Sequence, residues 1–325
     1  MKRIQSIRAK LGGLALVLVF LFAALIHRPA EAAEFKKPVF AYGQSLTEEE
    51  RAETRRLLDV AEDAVEIEVR IDELNGLLQN DYPFYQAYSS VYLEPVSTKQ
   101  GVEVTIVTPS TITAITERQY ENAAITAGAI NMNIRVASVK AVDGSGALAG
   151  VYKAFSDQGQ KLSEVNIRVA QKELEVTSAI NEENRDKDGY SDDLLNAAIA
   201  EIKGEIQKLK GESGNRTEIN ITNIVNTVIN NYNLQNILSE ENKQQIEGLM
   251  ADFSKIEFTE EQKNAIADFG QSILDKGGQI LDSVKSGWEG IDPEVKSGIS
   301  GFLQGLLDFL ANIFRSIVDG IKGLF

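Results

Sequence analysis

Asn184-Arg185-Asp186-Lys187-Asp188-Gly189-Tyr190-Ser191-Asp192 is the stretch whose residue types and spacing come nearest to a ligand set. Asn184, Asp186, Asp188 and Asp192 put side-chain oxygens at loop positions 1, 3, 5 and 9 of an EF-hand-like calcium loop. Gly189 stands at position 6, where such a loop turns sharply, and Tyr190 can offer its carbonyl at position 7. Leu195 falls at position 12, where a bidentate Glu belongs, so the spacing predicts at most millimolar calcium affinity. The competing reading is a polar turn between helices, with Asp192 and Asp193 favouring the N-terminus of the second.

Gly144-Ser145-Gly146-Ala147-Leu148-Ala149 fits a loose dinucleotide-binding fingerprint. A tight strand-to-helix turn explains the same glycines, and anion capture at the following helix N-terminus is the weaker alternative. Nucleophilic catalysis lacks its parts. There is no cysteine, and the single histidine, His27, lies near the N-terminus. Beyond it, a Ser-His-Asp triad, a Cys-His pair and the usual zinc sites are out of reach. Carboxylates are plentiful, which leaves open a paired Asp/Glu glycan hydrolase, yet Trp288 is the single tryptophan available for stacking on sugars.

Those residues sit in a chain that reads as exported. Lys2, Arg3, Arg8 and Lys10 precede an uncharged run from Leu11 to Ile26, followed by Ala30-Glu31-Ala32. Basic, apolar and small-residue segments in that order predict a signal peptide over 1–32, cut after Ala32. The apolar run is shorter than the roughly 20 residues of a spanning helix, which favours cleavage over an anchor. Losing 1–32 removes five basic residues and one acid, leaving a charge more negative than the −15 of the whole chain. Such a surface repels nucleic-acid phosphates and attracts cations and basic partners. Export without cysteine predicts a Gram-positive, extracellular or cell-envelope setting, with a fold held by its core alone.

Residues 33–44 read as an extended leader, and 45–160 as an α/β domain. Thr47 with Glu50 forms a capping box for a helix closed by Leu57, Leu58 and Val60. Period-two alternation predicts a strand from Val65 to Ile71, then a short helix from Asp72 to Leu78. Strands follow at Tyr88–Val96, Gly101–Thr108 and Asn133–Val142, with helices at Thr111–Gly128 and Gly146–Phe155. The order β-α-β-β-α-β suggests a ferredoxin-like unit. A helical region spans 161–291, with apolar stripes along Leu162–Ile180, Leu194–Leu209 and Ile221–Tyr232, and Gly211 to Gly214 as a linker. Ser239 and Thr259 open further helices by the same cap chemistry.

The last segment, 292–325, reads as an apolar amphipathic helix with few charges. Phe302, Leu306, Phe309, Leu310, Ile313, Phe314 and Ile317 form its stripe. It could pack on the helical region, lie in a membrane interface, or pair with an envelope component or another copy of the chain.

Ser45-Leu46-Thr47, Val107-Thr108-Pro109, Ile112-Thr113, Asn122 to Ala129 and Gly144 to Phe155 together resemble the exported Firmicute family called domain of unknown function 1002, the YpuA-like proteins. The resemblance covers about 40–180. It implies an extracellular or envelope location and brings no catalytic residues. The sequence thus predicts an α+β protein with a non-enzymatic binding or structural role. A secreted glycan hydrolase and a calcium-dependent adhesin or matrix protein are the alternatives. No cofactor is implied apart from the calcium of the 184–192 loop.

Overall fold

Alternating apolar residues broken by glycine, proline and polar clusters make the first half of the chain a sheet with helices on it. The computed structural model describes residues 37–78, 83–96, 101–159, 162–213 and 219–286. The elements are β1 (Val39–Gly43), α1 (Glu48–Leu57), β2 (Val65–Val69), α2 (Ile71–Leu78), β3 (Ser90–Pro95), β4 (Val102–Ile106), α3 (Glu117–Ala127), β5 (Met132–Ala137) and α4 (Ala147–Asp157). Helices follow: α5 (Glu164–Asn184), α6 (Asp192–Ser213), α7 (Ile221–Asn231), α8 (Glu240–Phe253) and α9 (Glu260–Ser286), with a 3-10 turn at Leu234–Asn236. The protein is α+β, as its pattern predicts. None of the described helices is long and apolar enough to cross a membrane.

The sheet runs β2-β1-β3-β5-β4. β1 pairs with β2, and β4 with β5, in parallel; β3 lies antiparallel to both β1 and β5. This corrects the ferredoxin-like topology, whose sheet is antiparallel throughout: a fifth strand joins the sheet, two pairings are parallel, and β3 and β4 are not neighbours. That strand comes from the segment read as a leader. Val39, Phe40 and Ala41 are all buried, and both edges of β1 are paired, so the segment has more apolar surface to bury than a free leader would.

One face of the sheet presents Val39, Ala41, Val91, Leu93, Ile134 and Val136, all buried. α4 packs on it at close range. A Cβ on Gly150 would stand 2.8 Å from Val91 Cγ2 and 3.3 Å from Ala41 Cβ, so glycine sets this approach. On the opposite face Leu58 and Val60, just past α1, cover Phe40, Tyr92 and Ala137. The capping box at Thr47 and Glu50 starts α1 as its spacing predicts. Boxes at Ser239 with Asn242 and at Thr259 with Gln262 start α8 and α9.

Two boundaries differ from the sequence expectation. The helix predicted from Thr111 begins only at Glu117, where Thr116 and Gln119 form a further capping box. The preceding residues form a bridge from Ile112 to Val142 instead. The expected linker at Gly211 is helical, since α6 continues to Ser213. The last strand, β5, ends at Ala137, and the described chain is helical in its regular elements from α4 onward. α3 lies between the sheet and the later helices, and every residue from Gln119 to Ala127 is buried. Its Ile125 joins the same apolar cluster as Leu195, Ile199, Val228, Phe253 and Ile266.

Candidate functional site

A helix buried on all sides should be apolar all round, and α3 is not. Gln119, Glu121, Asn122 and Thr126 are all out of solvent. Each has found a partner, and those partners form a connected buried polar site.

Asn122 and Thr126, one turn apart on α3, face Lys203 of α6. Lys203 Nζ donates to Asn122 Oδ1 at 2.5 Å and to Thr126 Oγ1 at 2.9 Å. It lies 2.6 Å from Glu173 Oε1 of α5, and both side chains are about 1% exposed. At that separation the two groups form a charge-assisted contact. Thr126 Oγ1 donates to the other carboxylate oxygen, Glu173 Oε2, at 2.6 Å. The Phe253 ring of α8 closes one side, 5.6 Å from the ammonium. Burial pushes the Lys203 ammonium below its ordinary range, opposed by the Glu173 charge and hydrogen bond. Tyr152 of α4 is also fully buried; its hydroxyl has no hydrogen-bond partner among the described residues, and burial raises its pKa.

The network extends along α3 toward its N-terminus. Asn122 Nδ2 donates to the backbone and side-chain oxygens of Asn196, each at 3.2 Å. Asn196 Nδ2 returns a bond to the Asp192 carbonyl at 2.9 Å. The Asp192 carboxylate accepts from Thr116 Oγ1 at 2.5 Å and Gln119 Nε2 at 2.9 Å. Burial nevertheless pushes Asp192 up to about 6, since those neutral donors only partly replace water. Arg118 joins Glu121, at 2.5 Å, to Asp193, at 3.3 Å. On the sheet side, Glu121 Oε1 accepts from the Val104 backbone N–H at 3.1 Å, and Glu117 Oε1 from that of Ile106 at 2.8 Å.

A desolvated amine beside a carboxylate has the chemistry of a proton acceptor or an imine former. Here it lies sealed beneath helices on several sides, so its directed bonds serve to register α3, α5 and α6 against one another. The sequence carried a signal for it. Glu173 lies four residues after Val169, and Lys203 four after Ile199, so each occupies a stripe position where an apolar residue belongs. Two opposite charges on two apolar stripes point to a buried pair.

The residues of the expected calcium loop do not converge. Asn184 ends α5 buried; its amide donates to the Ile180 carbonyl and to Asn242 Oδ1, and its Oδ1 accepts from Lys187 Nζ at 2.7 Å. Asp192 faces α3, while Asp186 and Asp188 are exposed. Tyr190 turns its ring inward, packing against the helical core. Gly189 does adopt the left-handed conformation, at φ +79°. Among the described residues no cluster of three or more acidic, histidine or cysteine side chains forms a metal site. The glycine turn at 144–146 is a packing turn. Gly144 has φ +101°, and its carbonyl accepts from Tyr120 Oη at 2.5 Å. A Cβ on Gly144 would stand 2.5 Å from that same hydroxyl, so a tyrosine fills the approach that a pyrophosphate would need. The expected signal segment and the C-terminal stripe from Phe302 to Ile317 lie outside the described residues.

The profile of the family described as "Protein of unknown function (DUF1002)" matches residues 42–268, well over half of the chain. The chain belongs to this family. It is also similar to the uncharacterized protein YpuA of Bacillus subtilis (strain 168), with 28% identity over 291 residues, 87% of this chain and 89% of that protein. No solved structure matches. In this DUF1002 member, the whole network from Thr116 to Phe253 lies inside the span matched by the family.

Proposed function

We propose that this DUF1002 protein is a non-catalytic, exported protein that binds or organises components of the cell envelope. The observation that carries the reading is the enclosure of Lys203. The amine with the most catalytic character is buried with Glu173 and spends its bonds holding helices together. Asp192, raised to about 6, is likewise occupied between α3 and α6. Perturbed groups in an enzyme's site normally line a cleft; these lie in a packed interface. The signal-like layout of 1–32 supports export, and the apolar stripe of 292–325 supports attachment to a bilayer, a partner or another copy.

The test uses the complete mature chain, 33–325. It is incubated with phosphatidylglycerol vesicles, with purified cell-wall sacculi, and alone. Sedimentation with either surface, with no release of reducing sugar or muropeptide, is the expected result. Release of soluble glycan that is lost on carboxylate substitution would replace this reading with the hydrolase. A chain that stays monodisperse in solution with both surfaces would defeat envelope attachment.

A further inference from the structure

The two edges of the sheet are treated differently. At the β4 edge, the N–H groups of Val104 and Ile106 are consumed by the carboxylates of Glu121 and Glu117. That edge is sealed by α3. At the other edge, Val65 N donates to the Pro38 carbonyl and the Val69 carbonyl accepts from Gln44 N, so the odd-numbered residues of β2 bond toward β1. Strand alternation turns the amides and carbonyls of Glu66 and Glu68 outward. β2 is the end strand of the sheet and pairs only with β1, so these groups meet no neighbouring strand.

Open edges invite another strand, and the side chains here state which kind. Glu66 and Glu68 are exposed on one face of β2. Arg55 pairs with Glu66 at 2.9 Å, while Glu68 has only the weaker, longer-range attraction of Arg70. On the other face, Val65 and Ile67 are only half-buried, unlike Val69, Val39, Ala41, Val91 and Leu93. An incoming strand with basic residues on one face and apolar residues on the other would match both. A second copy of β2 would instead bring Glu66 and Glu68 against their own kind, in a chain already at −15.

We infer that the outer edge of β2 is a docking site for an extended basic segment of a partner protein, bound by strand addition. Backbone bonds to Glu66 and Glu68 supply the register, and their carboxylates select the charge. The inference builds on the reading of a binding protein, and its test separates the two. A chain that ignores the peptide yet sediments with an envelope surface overturns the edge alone. A chain that takes the peptide but no surface overturns attachment alone.

The probe is the blocked heptapeptide Lys-Val-Lys-Val-Lys-Val-Lys, added to the mature chain while amide hydrogen exchange is followed residue by residue. Exchange at the amides of Glu66 and Glu68 is expected to slow on binding. The same peptide N-methylated at alternate amides, and its Glu-Val counterpart, are expected not to bind. Glu68→Pro removes one outward N–H without touching the bonds to β1 and should abolish the protection at Glu66. The double variant E66Q/E68Q should weaken affinity about tenfold, the loss of two cross-strand charge pairs. No binding at millimolar peptide, binding that leaves both amides unprotected, or equal binding of the Glu-Val peptide would each overturn the proposal. So would concentration-dependent protection of these amides without peptide, which would assign the edge to a second copy.

Discussion

Lys203 and Glu173 illustrate how a buried charge pair behaves as a unit. Each ion alone would face the desolvation penalty of a fully enclosed charge, and each is tolerable because the other stands 2.6 Å away. Removing one partner is therefore expected to be worse than removing both. Lys203→Met should lower stability by about 3–5 kcal/mol, and adding Glu173→Leu should recover most of it. Urea denaturation of the single and double variants reads this directly, and equal losses for both would show that the pair does not carry the interface. Asp192 behaves differently, because its partners are neutral. Its folded pKa, about 6, lies above its ordinary 3.8. The folded state thus holds a proton that the unfolded state has released, and stability contributed by this group is present below pH about 4 and lost as pH rises to about 6. Over that window the loss is at most about 3 kcal/mol. Asp192→Asn is expected to flatten this part of the stability profile, and an unchanged slope would move the titration to another group.

At the scale of elements, the close seating of α4 on β1 and β3 depends on Gly150. Glycine inside a helix costs about 1 kcal/mol relative to alanine, so propensity alone argues for Gly150→Ala. Sterics argue against it, since the new Cβ would come within 2.8 Å of Val91 Cγ2, a buried β-branched side chain with little room to turn. Overpacking of this kind costs about 1–3 kcal/mol, so the clash wins. The variant is expected to melt at lower temperature despite its better helix former, which calorimetry will decide. α3 shows a second element-level device. Its glutamates seal one sheet edge while its Asn122 and Thr126 bond the helical layer, so one helix serves two interfaces through opposite faces.

At the scale of the whole molecule, the described α/β elements and the later helices share one apolar cluster, although strands end at Ala137. The apolar cluster runs from Ile125 and Ile130 of the α/β part through the helices to Ile273. A fragment of residues 37–159 would expose α3's polar face and part of that cluster to water. It is expected to lack dispersed amide resonances, whereas the chain from residue 33 to 325 should unfold in one transition seen alike by far-ultraviolet and near-ultraviolet circular dichroism. A fragment that folds cooperatively by itself would show that the α/β part is an independent domain.

What the amino-acid order determined by itself was local. Capping boxes at Thr47, Ser239 and Thr259 marked helix starts because cap chemistry acts within four residues. Alternation marked β2, and short runs rich in Val, Tyr and Ile marked β3 to β5, because strand period and propensity need no distant partner. Strand order was decided only in the folded chain, where burial of Val39 to Ala41 turned an apparent leader into an inner strand. Ligand geometry was decided there as well. The spacing from Asn184 to Asp192 is compatible with a calcium loop, yet Asp192 bonds to Thr116 and Gln119, more than seventy positions away in sequence, and Asn184 to Asn242. A carboxylate takes the donors that the fold brings to it, and sequence spacing records only its near neighbours.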